Sequence, residues 1–293
     1  MPELNYIDKS FNRDATAKCI LSVQADQNGL AYCIFDSKLR SYVAFRKYRF
    51  DHVHLAGDLL RSIHGVLNRD EYLKLPYHEV RFLGYSQQST LVPSVYFDQH
   101  AKDDYMEFNH SLGSEDELFS NYIKPLGVYN VFVLSRDLVS LVSGHFKNAG
   151  FLQQATPFLW HLANQNRLLF KTRVYLGLNN GFFDVAATGN EKFSLYNSFQ
   201  YVSETDLLYY VLYVYEQLKL NTDQIPLLIS GELSKKLTFF ETLKKYLPAT
   251  RYDTVDEMQV LSPELLQMTA RNYMNLLNLR NCELSEESIK AER

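Results

Sequence analysis

Tyr175-Leu176-Gly177-Leu178-Asn179-Asn180-Gly181-Phe182-Phe183 is the stretch on which the fold turns. An apolar run stops at Asn-Asn-Gly, where a tight reversal is favoured, and apolar residues resume at once. The spacing predicts a strand over Arg173 to Leu178 and a second over Phe182 to Thr188. After Gly189-Asn190 comes a third, Lys192 to Tyr201. Ser203-Glu204-Thr205-Asp206 has the form of a capping box and opens a helix over Leu207 to Leu218. That helix is apolar nearly all round, so it is expected between layers. A short buried strand over Pro226 to Ser230 follows, then an amphipathic helix capped by Ser234, running to Leu247 and stopped by Pro248.

The same order occurs once before. Val23-Gln24-Ala25-Asp26-Gln27-Asn28-Gly29-Leu30-Ala31 lies over the opening stretch with Asn-Gly in register. Here Asn28-Gly29 is expected to supply the positive φ angles of a hairpin turn. Strands over Lys18 to Ala25, Leu30 to Phe35 and Tyr42 to Tyr48 are followed by a helix, Leu55 to Leu67, with Leu59, Leu60, Ile63 and Val66 as its apolar stripe. Val80 to Gly84 is one more strand. Two β-β-β-α units with added βα elements point to a duplicated α/β fold around a cleft, its halves being residues 1–170 and 171–293.

Between the repeats the pattern is weaker. Leu91 to Tyr96 reads as a strand and Asp98 to Asn109 as a short polar helix. Leu112 to Asn121 is acidic, with Glu115-Asp116-Glu117 as an exposed helix start rather than a metal site, since three consecutive acids on a helix diverge. Val128 to Leu134 is a strand, and Ser135 caps a helix that runs through Ala149 and ends at Gly150. Phe158 to Asn166 is a further helix.

Composition narrows the class. Of 293 residues, 46% are apolar and 22% charged, with a formal charge of −4, which describes a globular chain with no electrostatic reason to bind nucleic acid. Arg40 and Arg46-Lys47-Tyr48-Arg49 form a local basic run, read as one solvated sheet face. No secretion signal or membrane span is visible. Cys19, Cys33 and Cys282 are too few and scattered for a disulfide framework or zinc site, which fits a reducing cytosol. The chain holds 21 Tyr and 19 Phe against one Trp, so rings fill either the core and domain interface or an aromatic protein-binding surface.

The arrangement resembles the actin-like ATPase superfamily, which shares the ribonuclease H-like fold, and within it the division protein FtsA and the pilus-platform protein PilM. Asn130 to Asp137 through Ala149-Gly150-Phe151 and then Phe158-Leu159-Trp160 looks like their strand, long helix, Ala-Gly-Leu turn and interdomain helix. Ile229-Ser230-Gly231-Glu232-Leu233, leading to Phe240, Leu243 and Leu247, looks like the adenosine loop and its helix. The chain is also similar to a Bacteroidetes family of unknown function with that fold.

The resemblance locates a nucleotide site and shows it depleted. Active members read Asp-Leu-Gly-Gly-Gly-Thr-Thr-Asp-Val in the second phosphate loop. Here Gly177 stands at the aspartate, Asn179 and Asn180 replace glycines, and Phe182-Phe183 replace hydroxyls, while Gly181, Asp184 and Val185 remain. In the first loop the expected aspartate falls on Gln24 or Ala25, and Asp26 serves only if the register slips. In the adenosine loop Gly231 remains and Glu232 replaces the second glycine. If a nucleotide binds, the residues implied are Gln24, Asp26, Asn179, Asn180, Gly181, Asp184, Gly231 and Glu232. Phosphoryl transfer needs a carboxylate-held metal and backbone donors around the phosphates, and most of these are missing.

Other chemistry finds little support. His52-Val53-His54 has metal-like spacing but no partner cluster, and His145 and His161 sit in helical stripes as partly buried polar residues. Neither a serine elbow nor a Gly-x-x-x-x-Gly-Lys loop is present. Two readings of function stand. One is a non-catalytic binding or scaffold protein with another protein as partner and no cofactor. The other is an ATP-dependent switch or slow ATPase, using Mg-ATP through modified loops.

Overall fold

Two three-stranded meanders, each feeding a helix, organise the chain. The computed structural model describes residues 1–51, 53, 55–169, 171–189, 192–231, 237–254 and 260–284. His52, His54, Glu232 and the Ser234 cap lie outside them. The first meander is β2 (Cys19–Asp26), β3 (Gly29–Asp36) and β4 (Ser41–Arg49), preceded by β1 (Leu4–Ile7) and followed by α1 (Ala56–Arg69) and β5 (Glu79–Gly84). A small separate sheet follows, from β6 (Ser89–Pro93), β7 (Asp116–Ile123) and β8 (Val128–Ser135), with α2 (Lys102–Glu107) between β6 and β7. Next come α3 (Arg136–His145), β9 (Ala149–Gln153) and α4 (Ala155–Leu169). The second meander is β10 (Arg173–Leu178), β11 (Phe182–Gly189) and β12 (Lys192–Gln200), followed by α5 (Glu204–Gln217), β13 (Leu227–Gly231), α6 (Leu237–Tyr246), β14 (Arg251–Tyr252) and α7 (Met274–Asn278).

The large sheets have the orders β1-β4-β3-β2-β5-β9 and β12-β11-β10-β13-β14. In each, the meander is antiparallel and the strand after the helix joins parallel to the first meander strand, β5 to β2 and β13 to β10. The duplication expected from the two Asn-Gly hairpins is therefore present as topology. The chain divides into one unit of Met1–Trp160, Glu257–Met268 and Asn275–Arg293 and another of His161–Asp256 and Thr269–Met274. The division falls inside α4, and much of the stretch after residue 256 belongs with the first unit.

In the first unit, α1 and α3 cover the sheet. Ile63, Val66, Leu67, Val139 and Val142 are buried against Leu21, Val23 and Tyr32. The C-terminal segment is tied to strands of this unit by polar contacts. The Tyr42 hydroxyl donates to the Leu277 carbonyl, and Arg81 donates to the carbonyls of Leu279 and Cys282. Leu276, Leu277, Leu279 and Cys282 are buried there. Nothing in the local sequence of 276–284 announces this role, because its partners are about 200 residues upstream.

The basic run on β4 is not one solvated face. Strand alternation sends Arg46 and Tyr48 to the α1 side, where Asp70 accepts from Arg46 at 3.2 Å, from the Tyr48 hydroxyl at 2.6 Å and from the Tyr32 hydroxyl at 2.8 Å. Lys47, of opposite parity, pairs with Glu3 at 3.5 Å. Burial raises the Asp70 pKa, but the two tyrosine hydroxyls, the Tyr72 amide and Arg46 outweigh it and hold the carboxyl below its ordinary value.

Three local expectations fail, the first two because long-range pairing overrides local propensity. Asp116-Glu117 does not start a helix but enters β7, paired with β8 from Asp116↔Ser135 to Ile123↔Val128. Gly150 does not end a helix. α3 stops at His145, and Ala149-Gly150-Phe151 is strand β9, parallel to β5. Leu91 to Tyr96 is strand only to Pro93 and then a short 3-10 turn. Nor is α5 buried all round, since Tyr209 and Tyr213 are 62% and 42% exposed. The three cysteines are free and buried, and burial pushes the Cys19 and Cys282 thiols up to about 11 and about 12.

Candidate functional site

The end of β10 gathers most of the residues the sequence singles out. Leu178, its last residue, pairs with Phe183 of β11 on one side and Gly231 of β13 on the other. A Cβ on Gly231 would lie 2.3 Å from the Leu178 carbonyl oxygen, so β13 ends in contact with the β10 backbone. Asn179, Asn180 and Gly181 form the adjoining turn. Gly181 takes a φ of 75°, which only the second loop residue needs here.

The turn is closed on itself. The Asn179 amide donates to the Phe182 carbonyl at 3.0 Å, and the Tyr201 amide donates to the Gly181 carbonyl at 3.1 Å. The Asn179 side chain donates to one Asp184 oxygen at 2.7 Å, and the Tyr196 hydroxyl donates to the other at 2.8 Å. Asp184 is 1% exposed. Its two oxygens are thus engaged by neutral donors from β12 and the turn. Phe183 points the other way, against Phe199, Tyr201 and Tyr210. Phe183, which the resemblance sets at a hydroxyl position, is a core residue in this chain.

Gln24 and Asp26 belong to the first unit. Asp26 caps its own turn, its Oδ1 accepting from the amides of Asn28 and Gly29 at 2.7 and 3.1 Å. Gln24 lies between Ala31 and Leu83, and its Oε1 is buried with no hydrogen-bond donor in reach among the described residues. The Asn28-Gly29 turn contains no positive φ, contrary to the expectation. Gly29 is required for another reason: a Cβ there would sit 2.0 Å from the Tyr48 carbonyl oxygen.

Sequence reasoning missed the groups that occupy Asp184, above all Tyr196, because strand partners ten or more residues away carry no local mark. It also missed a buried amide network in the first unit. Asn130 donates to Gln153 Oε1 at 2.9 Å and to Thr156 at 3.1 Å, and Thr156 donates to Asn121 Oδ1 at 3.1 Å. Gln153 and Gln154 both donate to the Ser86 carbonyl. An asparagine inside the apolar run Val128 to Leu134 is the signal that could have found it. The network is uncharged and offers hydrogen bonding but no acid, base or metal chemistry. His161, read as partly buried, is 2% exposed and contacts Asp253 at 3.0 Å, with Gln165 bridging to both. Among the described residues no three His, Cys, Asp or Glu side chains converge on a common point. No described helix is long and apolar enough to cross a membrane.

Duplicated β-β-β-α units with parallel fourth strands define the actin-like ATPase fold. A Bacteroides thetaiotaomicron protein with an actin-like ATPase fold and unknown function matches with a TM-score of 0.80 at 20% identity, over 93% of this chain and 99% of that one. A chain of the PilM–PilN type IV pilus biogenesis complex matches with a TM-score of 0.62 at 12% identity, over 89% and 97% respectively. These likenesses are of fold. The model of the family described as "Protein of unknown function (DUF3822)" matches residues 8–250, and the chain belongs to that family. No curated protein matches the sequence.

Proposed function

We propose that this protein is a non-catalytic binding or scaffold protein, cytosolic and acting on another protein, that keeps the actin-like frame without the nucleotide chemistry. The observation that carries the reading is the occupied Asp184. It lies three residues beyond Gly181, and each of its oxygens accepts a hydrogen bond, one from Asn179 and one from Tyr196. A metal-binding carboxylate must offer oxygen lone pairs to the ion, and phosphate cradling needs free backbone amides. In this turn the Asn179 amide is bonded to Phe182, and Gly177 stands where the resemblance puts an aspartate. The match to a chain of the PilM–PilN type IV pilus biogenesis complex supports a protein partner by analogy of fold.

The test is phosphate release from Mg-ATP by purified protein. The expected rate equals that of the buffer. Turnover above buffer that disappears in Gly181→Trp would instead establish the alternative, a slow ATPase or switch built on Asn179, Asn180, Gly181 and Asp184.

A further inference from the structure

An asparagine followed by glycine sets a side-chain amide carbon beside a main-chain nitrogen that no Cβ shields. The nitrogen can close on that carbon as a succinimide ring when the backbone can rotate and its N–H is not bonded elsewhere. The chain holds this dipeptide twice, at Asn28-Gly29 and at Asn180-Gly181. The two pairs differ in both respects.

Gly29 is already a strand residue, paired with Asp26 on one side and Arg49 on the other. Its N–H donates to Asp26 Oδ1 at 3.1 Å, and the Asn28 N–H donates to the same oxygen at 2.7 Å. The Asn28 carbonyl accepts from the Phe50 amide at 2.9 Å, and the Tyr48 carbonyl fills the space where a Gly29 Cβ would be. This pair is held on every side.

Asn180-Gly181 stands outside the ladder, since β10 ends at Leu178 and β11 begins at Phe182. Both residues are exposed, and apart from the chain neighbours no atom lies within 4 Å of a Cβ built on Gly181. The Gly181 carbonyl accepts from Tyr201. Among the described residues, neither the Gly181 N–H nor the Asn180 side chain has a hydrogen bond. Asn179 cannot take this role as readily: its side-chain amide donates to Asp184 at 2.7 Å, and the residue after it carries a Cβ.

We propose that Asn180 is a site of self-modification, converted to aspartate and isoaspartate with Gly181 as the attacking residue. The Gly181 nitrogen gives up its proton to solvent and attacks Asn180 Cγ. The N–Cγ bond forms, the bond from Cγ to the amide nitrogen breaks, and ammonia leaves with a proton relayed back by water. A second water then opens the ring. Attack at Cγ gives aspartate in the normal chain, and attack at the main-chain carbonyl gives isoaspartate, in which the chain runs through the side chain. Water is the only co-reactant. Either product puts a carboxylate at the tip of a turn now made of two asparagines and a glycine. Isoaspartate also lengthens the main chain between Asn179, which holds Asp184, and Gly181, which holds Tyr201. The charge and closure of the candidate site therefore change as the protein ages, whichever reading of its function is right.

The experiment is incubation of the purified full chain in heavy-oxygen water at mildly alkaline pH, then peptide mapping by mass spectrometry to read isotope uptake at each asparagine. Asn180 is expected to convert at least about tenfold faster than Asn28, the factor that one hydrogen bond to a carboxylate supplies. In denaturant the two rates should converge, because both dipeptides then lose their folded surroundings. Asn180→Gln, whose longer side chain closes its ring slowly, should remove the acidic species seen by ion exchange and leave the melting curve unchanged. Equal native rates, a faster Asn28, or a contrast that survives denaturant overturns the proposal. So does an acidic species of undiminished yield in Asn180→Gln, or a native Asn180 that stays intact while the denatured chain converts fully.

Discussion

The two Asn-Gly hairpins look alike in sequence and work differently. At β2–β3 the glycine is needed for space: the backbone of Tyr48 passes where its Cβ would be, and no residue of the turn has a positive φ. At β10–β11 the glycine is needed for conformation: Gly181 has a φ of 75° and nothing within 4 Å of a built Cβ. A tyrosine hydroxyl from each meander also bonds a buried aspartate. Asp70 has a cation among its partners, Arg46, whereas Asp184 is held by the Asn179 amide and the Tyr196 hydroxyl. A dipeptide that marks a turn therefore does not say why the turn needs it, and a repeated topology does not preserve repeated chemistry.

The comparison can be broken at four points. Gly29→Ala should be the most damaging, at about 3 kcal/mol or more in urea unfolding, because a backbone carbonyl cannot swing aside as a side chain can. A loss under about 1 kcal/mol would mean β4 can shift and the spatial argument is wrong. Asp70→Asn should cost about 3 kcal/mol at pH 7, since it leaves Arg46 with an uncharged partner. The sign of the pH effect follows from a depressed folded pKa. Asp70's contribution is complete above its unfolded value near 4 and fades as pH falls below that. Wild type and Asp70→Asn should therefore converge in stability in acid; a constant gap from pH 7 to pH 2 would contradict the assignment.

Tyr196→Phe tests the other aspartate. It removes one donor to a buried carboxylate and should cost about 1.5–2 kcal/mol, less than Asp70→Asn; an equal cost would erase the contrast between the two buried acids. Gly181→Ala should be mildest, about 1 kcal/mol for a left-handed residue in open space. If Gly181→Ala proves worse than Gly29→Ala in thermal melts, the roles assigned to the two glycines are reversed.

Much of the frame is legible in the sequence, because it follows local periodicity and capping. The capping box at Ser203 and Asp206 forms as written, Ser135 accepts from the Leu138 amide, and both meanders fall within a residue or two of their predicted limits. What is not legible is decided by partners far away. Asp116-Glu117 enters a strand because β8 lies beside it, and Ala149-Gly150 does so because β5 does. The docking of residues 276–284 depends on Tyr42 and Arg81. At the candidate site, the sequence shows which residues stand in the turn but not that Tyr196 and Asn179 close over Asp184.

The central claim, an actin-like frame without nucleotide chemistry, is tested most directly by a thermal-shift titration with Mg-ATP and Mg-ADP. The account predicts a flat melting temperature up to millimolar nucleotide. A ligand at about 100 times its dissociation constant would add about 2.7 kcal/mol. In a chain of this size that raises the melting temperature by roughly 4 °C or more, and a saturable rise of that order would contradict the account.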